Sequence, residues 1–247
     1  MGQKRDRRTT FMRLHIITEG HGEALFVNKV LVPHLANFGV YADSRCITTS
    51  RSKREDIKYR GGFLKYSHLR NDLDKWIREE KNNQDIRFTT MLDLYKFRIP
   101  EENNDTFIVA SKQRNALKKV EAYEMAMKED IKDWRFIPYI QLHEFEALVL
   151  VEPQKLLTEF IGKEKKVQAL IEDIAGLEPE EINETPENAP SKRIEKFFPE
   201  YGGKKSKTVG ALIAEEIGIE KLKSRCPHFG QWIKTLEQLE NQTASNL

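Results

Sequence analysis

The stretch that decides the fold is Arg13-Leu-His-Ile-Ile-Thr-Glu-Gly-His-Gly-Glu23. Its first half is apolar and β-branched with little alternation, which predicts a buried strand over Met12 to Thr18. Two glycines then open a turn, and an amphipathic helix is predicted from Glu23 onward. Glu19 therefore stands where a first strand ends and a helix follows. This is the edge at which open α/β sheets bind their ligands.

The alternation of strand and helix patterns continues through the first 152 residues. Strands are predicted around 41–48, 87–92 and 135–142, with helices around 69–77 and 116–132. Pro33 is expected to kink the first helix, and Pro138 favours an edge position for the last strand. Such alternation predicts an α/β fold with a mainly parallel, four-stranded sheet and right-handed crossovers.

The second part of the chain has a different character. Helical periodicity dominates residues 153–247, where the acidic stretch 178–187 is followed by several lysines and arginines. We therefore expect an α/β domain over residues 1–152 and a helical region over residues 153–247 packed on it.

Composition narrows the class of protein. Of the 247 residues, 32% are charged and 39% are hydrophobic, as in a soluble globular protein. No apolar run approaches the roughly 18 residues of a membrane span, and no signal core follows the basic N-terminus. Two cysteines give neither a disulfide scaffold nor zinc-binding spacing. These features predict a cytoplasmic protein with no membrane association.

Acidic residues follow three of the predicted strands. Asp93 ends the third apolar run, and His143, Glu144 and Glu146 come after the fourth. Carboxylate oxygens are hard ligands, so Glu19, Asp93 and Glu146, with Glu144 as a further candidate, predict an Mg²⁺ or Mn²⁺ site. Such an ion activates water and stabilises a phosphoryl leaving group.

Structural readings of the same residues are open as well. Asp93 by itself suits a turn cap, and Glu23 suits the first turn of any helix. If residues 143–150 are helical, His143 and Glu146 share one helix face. The segment lacks the His-Glu-x-x-His pattern of zinc proteases, and the turn after the first strand matches neither dinucleotide-binding nor Walker loops.

Basic residues form two groups that suit a phosphate backbone. The segment from Arg45 to Arg70 contains eight lysines and arginines but only two acids, with aromatic residues interleaved. The predicted nucleic-acid contacts in this loop are Arg51, Lys53, Arg54, Lys58, Arg60 and Lys65. Lys192 and Arg193 follow Pro190, where cations oppose the helix dipole, so pairing with phosphate or with the acidic stretch is expected. A solvated surface is the alternative for the loop.

Several motifs together resemble the DUF4276 family, whose members look like Toprim-fold proteins. The matching pieces are Thr-Glu-Gly-x-x-Glu (18–23), Met-Leu-Asp-x-Tyr (91–95), Phe-Ile-Pro-Tyr-Ile-Gln-Leu-His-Glu-Phe-Glu-Ala-Leu (136–148), Ala-Pro-Ser-Lys-Arg-Ile-Glu (189–195) and Cys-Pro-His-Phe (226–229). Toprim domains of topoisomerases, primases and OLD-type nucleases bind Mg²⁺ through a glutamate after the first strand and an Asp-x-Asp pair. The resemblance implies these roles for Glu19 and Asp93, whereas Tyr95 replaces the second aspartate.

The resemblance implies a Mg²⁺-dependent nuclease acting on DNA or RNA. Glu19, Asp93, Glu146 and Lys192 are its expected catalytic residues, with Glu23, Tyr95 and His143 supporting them. Relatives are often encoded beside an ABC-type or OLD-like ATPase in anti-phage systems, which implies an ATPase partner; self-association is left open. The alternatives are a non-catalytic subunit that senses nucleic acid or docks the ATPase, and a hydrolase of small phosphoesters.

Overall fold

The computed structural model describes residues 11–51, 58–60, 65–97, 105–182, 186–202 and 204–240, with the backbone alone at 48–51, 58–60, 186 and 204–207. The strands are β1 (Met12–Thr18), β2 (Val40–Cys46), β3 (Thr48–Arg51), β4 (Lys58–Arg60), β5 (Ile86–Asp93), β6 (Phe136–Ile137) and β7 (Ile140–Gln141). The α-helices are α1 (His21–Phe26), α2 (Val32–Ala36), α3 (Tyr66–Glu79), α4 (Asp105–Ser111), α5 (Ala116–Ile131), α6 (Glu146–Val149), α7 (Glu164–Asp173), α8 (Pro190–Phe197), α9 (Lys204–Ile217), α10 (Ile219–Arg225) and α11 (Pro227–Glu237).

A parallel sheet forms the centre of the fold. Its order is β2-β1-β5-β6, and β7 continues beside β5. Thr18 of β1 pairs with Cys46 of β2 on one side and with Met91 of β5 on the other. Helices cover both faces, so β1 and β5 are buried almost throughout, which explains their apolar runs without alternation. The predicted parallel α/β fold with a helical C-terminal half is confirmed.

The edge strand beside β5 is interrupted at Pro138. The single strand predicted over 135–142 is instead two short strands, β6 and β7, which both pair with β5. Proline has no backbone N–H to donate and therefore interrupts the ladder. Both strands lie at the edge of the sheet, where proline is tolerated, so the predicted edge position is confirmed.

The helix after β1 begins at His21 and contains a π-helical segment, Val27–Leu31, before α2. Pro33 in the first turn of α2 cannot donate to the carbonyl four residues earlier, and the wider π turn lies directly before it. The helix therefore changes type just before Pro33, and the predicted kink at Pro33 stays a prediction.

Two local features differ from the sequence predictions. No helix was predicted between the third strand and residue 116, but α4 occupies residues 105–111; residues 98–104 lie outside the described part of the chain. The predicted basic loop is partly a two-stranded antiparallel sheet, in which β3 pairs with β4. Arg51, Lys58 and Arg60 are strand residues there, in a segment whose threonines and Tyr59 favour extended backbone.

Two hydrophobic clusters lie on opposite faces of the sheet. One packs Ile17, Phe88 and Leu92 against α3, α4 and α5. The other joins strand residues such as Leu14 and Ile16 to the helices before β2 and to the C-terminal helices. This second cluster therefore contains residues of both regions, 1–152 and 153–247. In the described residues, no helix is both long and apolar enough to cross a membrane.

The C-terminal helix is anchored directly on the sheet. Trp232 of α11 donates its indole N–H to Thr89 Oγ1 of β5 at 2.9 Å. Its ring stacks on Tyr139, between β6 and β7, with centroids 4.1 Å apart and planes 5° from parallel. A buried hydrogen bond and a stacked aromatic pair thus fix α11 across the central strands.

Candidate functional site

Glu19 and Asp93 lie side by side at the carboxyl edge of the sheet. Glu19 follows the last residue of β1, Asp93 ends β5, and these two strands are parallel neighbours in the register that pairs Thr18 with Met91. Both side chains are almost fully buried, with Glu19 4% and Asp93 2% exposed. The strand pairing therefore brings together two acids that are far apart in sequence.

Lys96 bridges these two acids. It sits on a 3₁₀ turn, Leu94–Lys96, directly after β5. Its Nζ lies 3.3 Å from Glu19 Oε1 and 3.1 Å from Asp93 Oδ2. We call Lys96, Glu19 and Asp93 the Lys96 cluster. Sequence reasoning gave Lys96 no role, although a lysine three residues after a strand-end aspartate was the available signal.

The remaining oxygens of the two acids differ. Asp93 Oδ1 accepts a hydrogen bond of 2.9 Å from the backbone N–H of Phe145. Glu19 Oε2 is buried and has no hydrogen-bond partner among the described residues. A buried polar atom without a partner is costly and calls for an explanation such as a bound ion. The Lys96 cluster thus has unfilled capacity to bind a cation at Glu19.

Burial and neighbouring charge control the protonation of Glu19. Burial, with a further contribution from the negative charge of Asp93, raises the pKa of Glu19 to about 8, while Lys96 acts in the opposite direction. The charge of Asp93, followed by that of Glu19, keeps the pKa of Lys96 above its ordinary value despite burial. One lysine is therefore insufficient to hold Glu19 ionised at neutral pH, and an additional positive charge would lower its pKa.

Glu23 adds negative charge to the same region. It is buried in the first turn of α1, and its charge contributes to the raised pKa values of both Glu19 and Lys96. Glu23 therefore lies in the first turn of a helix, as its structural interpretation predicts, and also near Glu19; its supporting role stays a prediction.

The segment after β7 is fastened to the turn that follows β5. His143 adopts the left-handed conformation, with φ of 63°, and its carbonyl accepts a 3.0 Å hydrogen bond from Tyr95 N–H. The helix α6 begins only at Glu146. The conditional helix over 143–150 is therefore wrong at its start, and His143 and Glu146 do not share a helix face. Burial lowers the pKa of His143, which favours the neutral imidazole.

Glu144 and Glu146 both lie in this segment, in largely buried surroundings. Glu144 accepts a 3.0 Å hydrogen bond from Ser191 N–H, and burial raises its pKa. The Glu146 carboxyl is enclosed by protein, although part of the residue stays accessible, and burial raises its pKa to about 8. The Tyr201 hydroxyl is 3.5 Å from Glu146 Oε1. Sequence patterns gave no signal for Tyr201.

The acids of this edge do not form a compact three-ligand set. Within the described ranges, three ligand atoms that all lie within 4.8 Å of one another are found instead at His34, Glu220 and Glu237, on α2, α10 and α11. Lys223 Nζ already contacts Glu237 Oε1 at 2.6 Å and Glu220 Oε1 at 3.2 Å there. We call these four residues the Lys223 cluster. Glu146 as a third ligand beside Glu19 and Asp93 stays a prediction.

The cations of α8 have protein partners. Arg193 is 9% exposed, and its guanidinium contacts Asp173 Oδ2 at 2.8 Å and the Asn188 carbonyl at 3.1 Å. These contacts account for Arg193 without phosphate, and the charged partner is on α7 rather than in the acidic stretch. Lys192 is exposed and contacts Glu195 Oε2 at 2.6 Å.

The remaining predicted residues are placed as follows. Tyr95, which stands in the sequence position of the second Toprim aspartate, is 39% exposed, whereas Glu19 and Asp93 are buried. Lys65 is exposed at the start of α3, and Arg51, Lys58 and Arg60 lie on the β3–β4 pair. Lys53 and Arg54 lie outside the described residues. A nucleic-acid role for these cations stays a prediction.

The donor chemistry of the edge fits a hard divalent cation. Glu19, Asp93, Glu144 and Glu146 offer carboxylate oxygens, which suit Mg²⁺ and Mn²⁺. The unpartnered Glu19 Oε2 is the specific atom that such an ion would satisfy. A buried carboxyl whose pKa is raised to about 8 is typical of functional sites, although ion-pair networks within a fold also produce such shifts.

Comparisons with known proteins give a family and nothing closer. No curated protein and no solved structure matches the chain. A family model does match, over residues 18–237, and its description is "Domain of unknown function (DUF4276)". This span includes both strand-end acids, Lys96 and all the helices from α1 to α11. The chain therefore belongs to the DUF4276 family.

Proposed function

We propose that this chain is a Toprim-like, Mg²⁺- or Mn²⁺-dependent nuclease that hydrolyses phosphodiester bonds in DNA or RNA. The observation that carries the proposal is the buried, unpartnered Glu19 Oε2 beside Asp93 at the carboxyl edge of a parallel sheet. An acid after the first strand and another after its neighbour is the placement expected of a Toprim-like site.

In this proposal, Glu19 and Asp93 hold the metal, with Glu144 or Glu146 completing its ligands. A metal bound there supplies charge stabilisation for the phosphoryl group and an activated water. As the alternative to ligating the metal, Glu19 is the general base that accepts a proton from the attacking water. The hydrogen bond from Phe145 N–H holds Asp93 in a fixed orientation.

Exposed cations contact the substrate in the proposed nuclease. Lys192 is exposed and follows Ser191, whose N–H binds Glu144. The hydrogen bond to Glu195, with a smaller contribution from the charge of Glu144, raises the pKa of Lys192. A lysine in this position can neutralise a phosphate next to the acids. Lys65 and the basic strand residues Arg51, Lys58 and Arg60 are proposed to bind the phosphate backbone of the nucleic acid on either side of the cut.

The proposed setting is bacterial anti-phage defence in the cytoplasm, with an ABC-type or OLD-like ATPase as partner. Family resemblance supports this setting. The ATPase matters for testing, because a regulated nuclease without its partner can be silent.

The test is cleavage of plasmid DNA and tRNA with Mg²⁺ or Mn²⁺, with and without the ATPase encoded nearby. Glu19→Gln is expected to lower metal-dependent cutting by about 100-fold or more, because a neutral amide neither charges the site nor accepts the proton. Glu220→Gln, in the Lys223 cluster, is the matched control and should cut normally. Absence of metal-dependent cutting by the unaltered protein under all these conditions would overturn the proposal.

One observation favours a second candidate, a non-catalytic subunit that senses nucleic acid or docks the ATPase. Lys96 already contacts both Glu19 and Asp93, which partly neutralises the pair without a metal. Calorimetry with Mn²⁺ separates the two candidates. A non-catalytic subunit of this kind shows no heat of binding that is lost in Glu19→Gln.

A further inference from the structure

Lys96 occupies the place between the two strand-end acids where a cation is expected. Its ammonium contacts one oxygen of Glu19 and one oxygen of Asp93 at 3.3 and 3.1 Å. These two acids come from neighbouring strands, so the bridging position is created by the sheet and not by the local turn. A metal ion held by both acids and the Lys96 ammonium would therefore compete for the same pair of carboxylates.

The ammonium fills this place incompletely. It leaves Glu19 Oε2 buried and without a partner among the described residues. A divalent ion carries twice the charge and can be approached by both oxygens of one carboxylate. Electrostatics thus allow a divalent ion to replace the lysine.

The lysine is also the exposed member of the cluster. Glu19 and Asp93 are fixed at the ends of buried strands, whereas the Lys96 side chain is 44% exposed and rises from a three-residue turn. Rotation of its side chain towards solvent requires no movement of the sheet. The flexible lysine stem permits such a rotation.

We propose that Lys96 is a built-in counter-cation that competes with the divalent ion for Glu19 and Asp93. This inference rests on the metal site of the proposed function. In the metal-free protein, Lys96 limits repulsion between the acids. Metal binding expels the ammonium, so Lys96 raises the metal concentration at which the site fills.

Calorimetric titration with Mn²⁺ tests the competition without reference to activity. Lys96→Met removes the competing charge, and its Mn²⁺ affinity is expected to exceed that of the unaltered protein by about tenfold or more. Lys223→Met removes the equivalent lysine from the Lys223 cluster and is the matched control. Its Mn²⁺ affinity at the site that depends on Glu19 should be unchanged.

The outcomes distinguish failure of the inference from failure of the metal site. Binding by the unaltered protein with equal or weaker binding by Lys96→Met overturns the inference and leaves the site standing. Tighter binding by Lys96→Met supports it, and so does binding by that variant alone. Absence of binding that depends on Glu19 in every protein overturns both proposals.

A second measurement applies if Lys96→Met does not fold. In protein with ¹³C-labelled lysine, the Lys96 Cε resonance is assigned by its absence from Lys96→Arg. Added Mg²⁺ should move this resonance towards the position of a free, solvated lysine, because the ammonium leaves the carboxylates. A resonance that stays in place while Mg²⁺ binds would overturn the competition.

Discussion

The Lys96 cluster and the Lys223 cluster contain the same kinds of groups and differ in how completely those groups are paired. In the Lys223 cluster, Glu237 Oε1 accepts from Lys223 at 2.6 Å and contacts His34 Nε2 at 2.7 Å. Burial works in the opposite direction, but the hydrogen bonds from Lys223 and His34 hold the pKa of Glu237 below its ordinary value. In the Lys96 cluster, the pKa of Glu19 is raised and one oxygen has no partner.

The difference distinguishes an ion pair whose acid is stable when ionised from one whose acid is not. Glu237 joins three helices, α2, α10 and α11, and its ionised form is the stable one. Glu19 lies between the ends of two strands at the carboxyl edge of the sheet, and burial makes its ionised form costly at neutral pH. Contact with a lysine therefore does not by itself show that a buried carboxylate is stable in its ionised form.

The largest expected contrast between the clusters is in the pH dependence of stability. The folded-state pKa of Glu19 is about 8 and its ordinary value is 4.5, so folded protein keeps a proton that unfolded protein has lost between these values. The unfolding free energy should therefore fall as pH rises from 5 to 8, by up to about 1.4 kcal/mol per pH unit from this group. Glu19→Gln removes this contribution.

Urea unfolding between pH 5 and pH 9 with EDTA measures the effect. The stability difference between Glu19→Gln and the unaltered protein should shift in favour of the variant as pH rises to 8 and then stay constant. Glu237→Gln is the control. Because the pKa of Glu237 is lowered, its stabilising effect is lost only as pH falls below about 4.5, so its difference should be flat from pH 5 to 9. Parallel curves for all three proteins would contradict the assignment.

The next contrast is the cost of breaking each cluster at pH 7. Glu237→Gln weakens two charge-assisted hydrogen bonds to largely buried groups and should lower the unfolding free energy by about 1–3 kcal/mol. Glu19→Gln should lower the unfolding free energy by less than this, or raise it, because it replaces a buried acid whose ionised form is disfavoured by burial. Urea unfolding of the metal-free variants decides the order, and a larger loss for Glu19→Gln would reverse the interpretation.

The smallest effect is expected at Lys192, which is outside both clusters. Its side chain is 54% exposed, and its pair with Glu195 lies along one helix. Lys192→Ala should change the unfolding free energy by about 0.5 kcal/mol or less. If Lys192 contacts phosphate as proposed, the same variant should bind a single-stranded oligonucleotide more weakly. A large loss of stability would show that Lys192 supports the fold instead.

The sheet edge was predictable because it depends on local patterns. The apolar runs that end at Glu19 and Asp93 each identify a buried strand, and the alternation with helices makes those strands parallel. Two parallel strands necessarily present their final residues at one edge. Lys96 was not predictable in the same way, because its bridging role depends on Glu19, which arrives from a different strand.

Other features depend on distant parts of the chain. The left-handed backbone of His143 is rare for a residue other than glycine, and it is associated with the hydrogen bond between its carbonyl and Tyr95. Arg193 finds Asp173 on another helix, which no pattern within α8 indicates. Sequence periodicity gives the elements and their faces, whereas side-chain partners between elements require the packed structure.

The bond between Trp232 and Thr89 has a consequence for synthesis on the ribosome. Its partners are 143 residues apart, and α11 covers a sheet face whose central strands are made much earlier. At translation rates of about 5–20 residues per second, roughly 7–30 s separate the two residues. The apolar sheet face that α11 covers therefore stays open during that interval of synthesis.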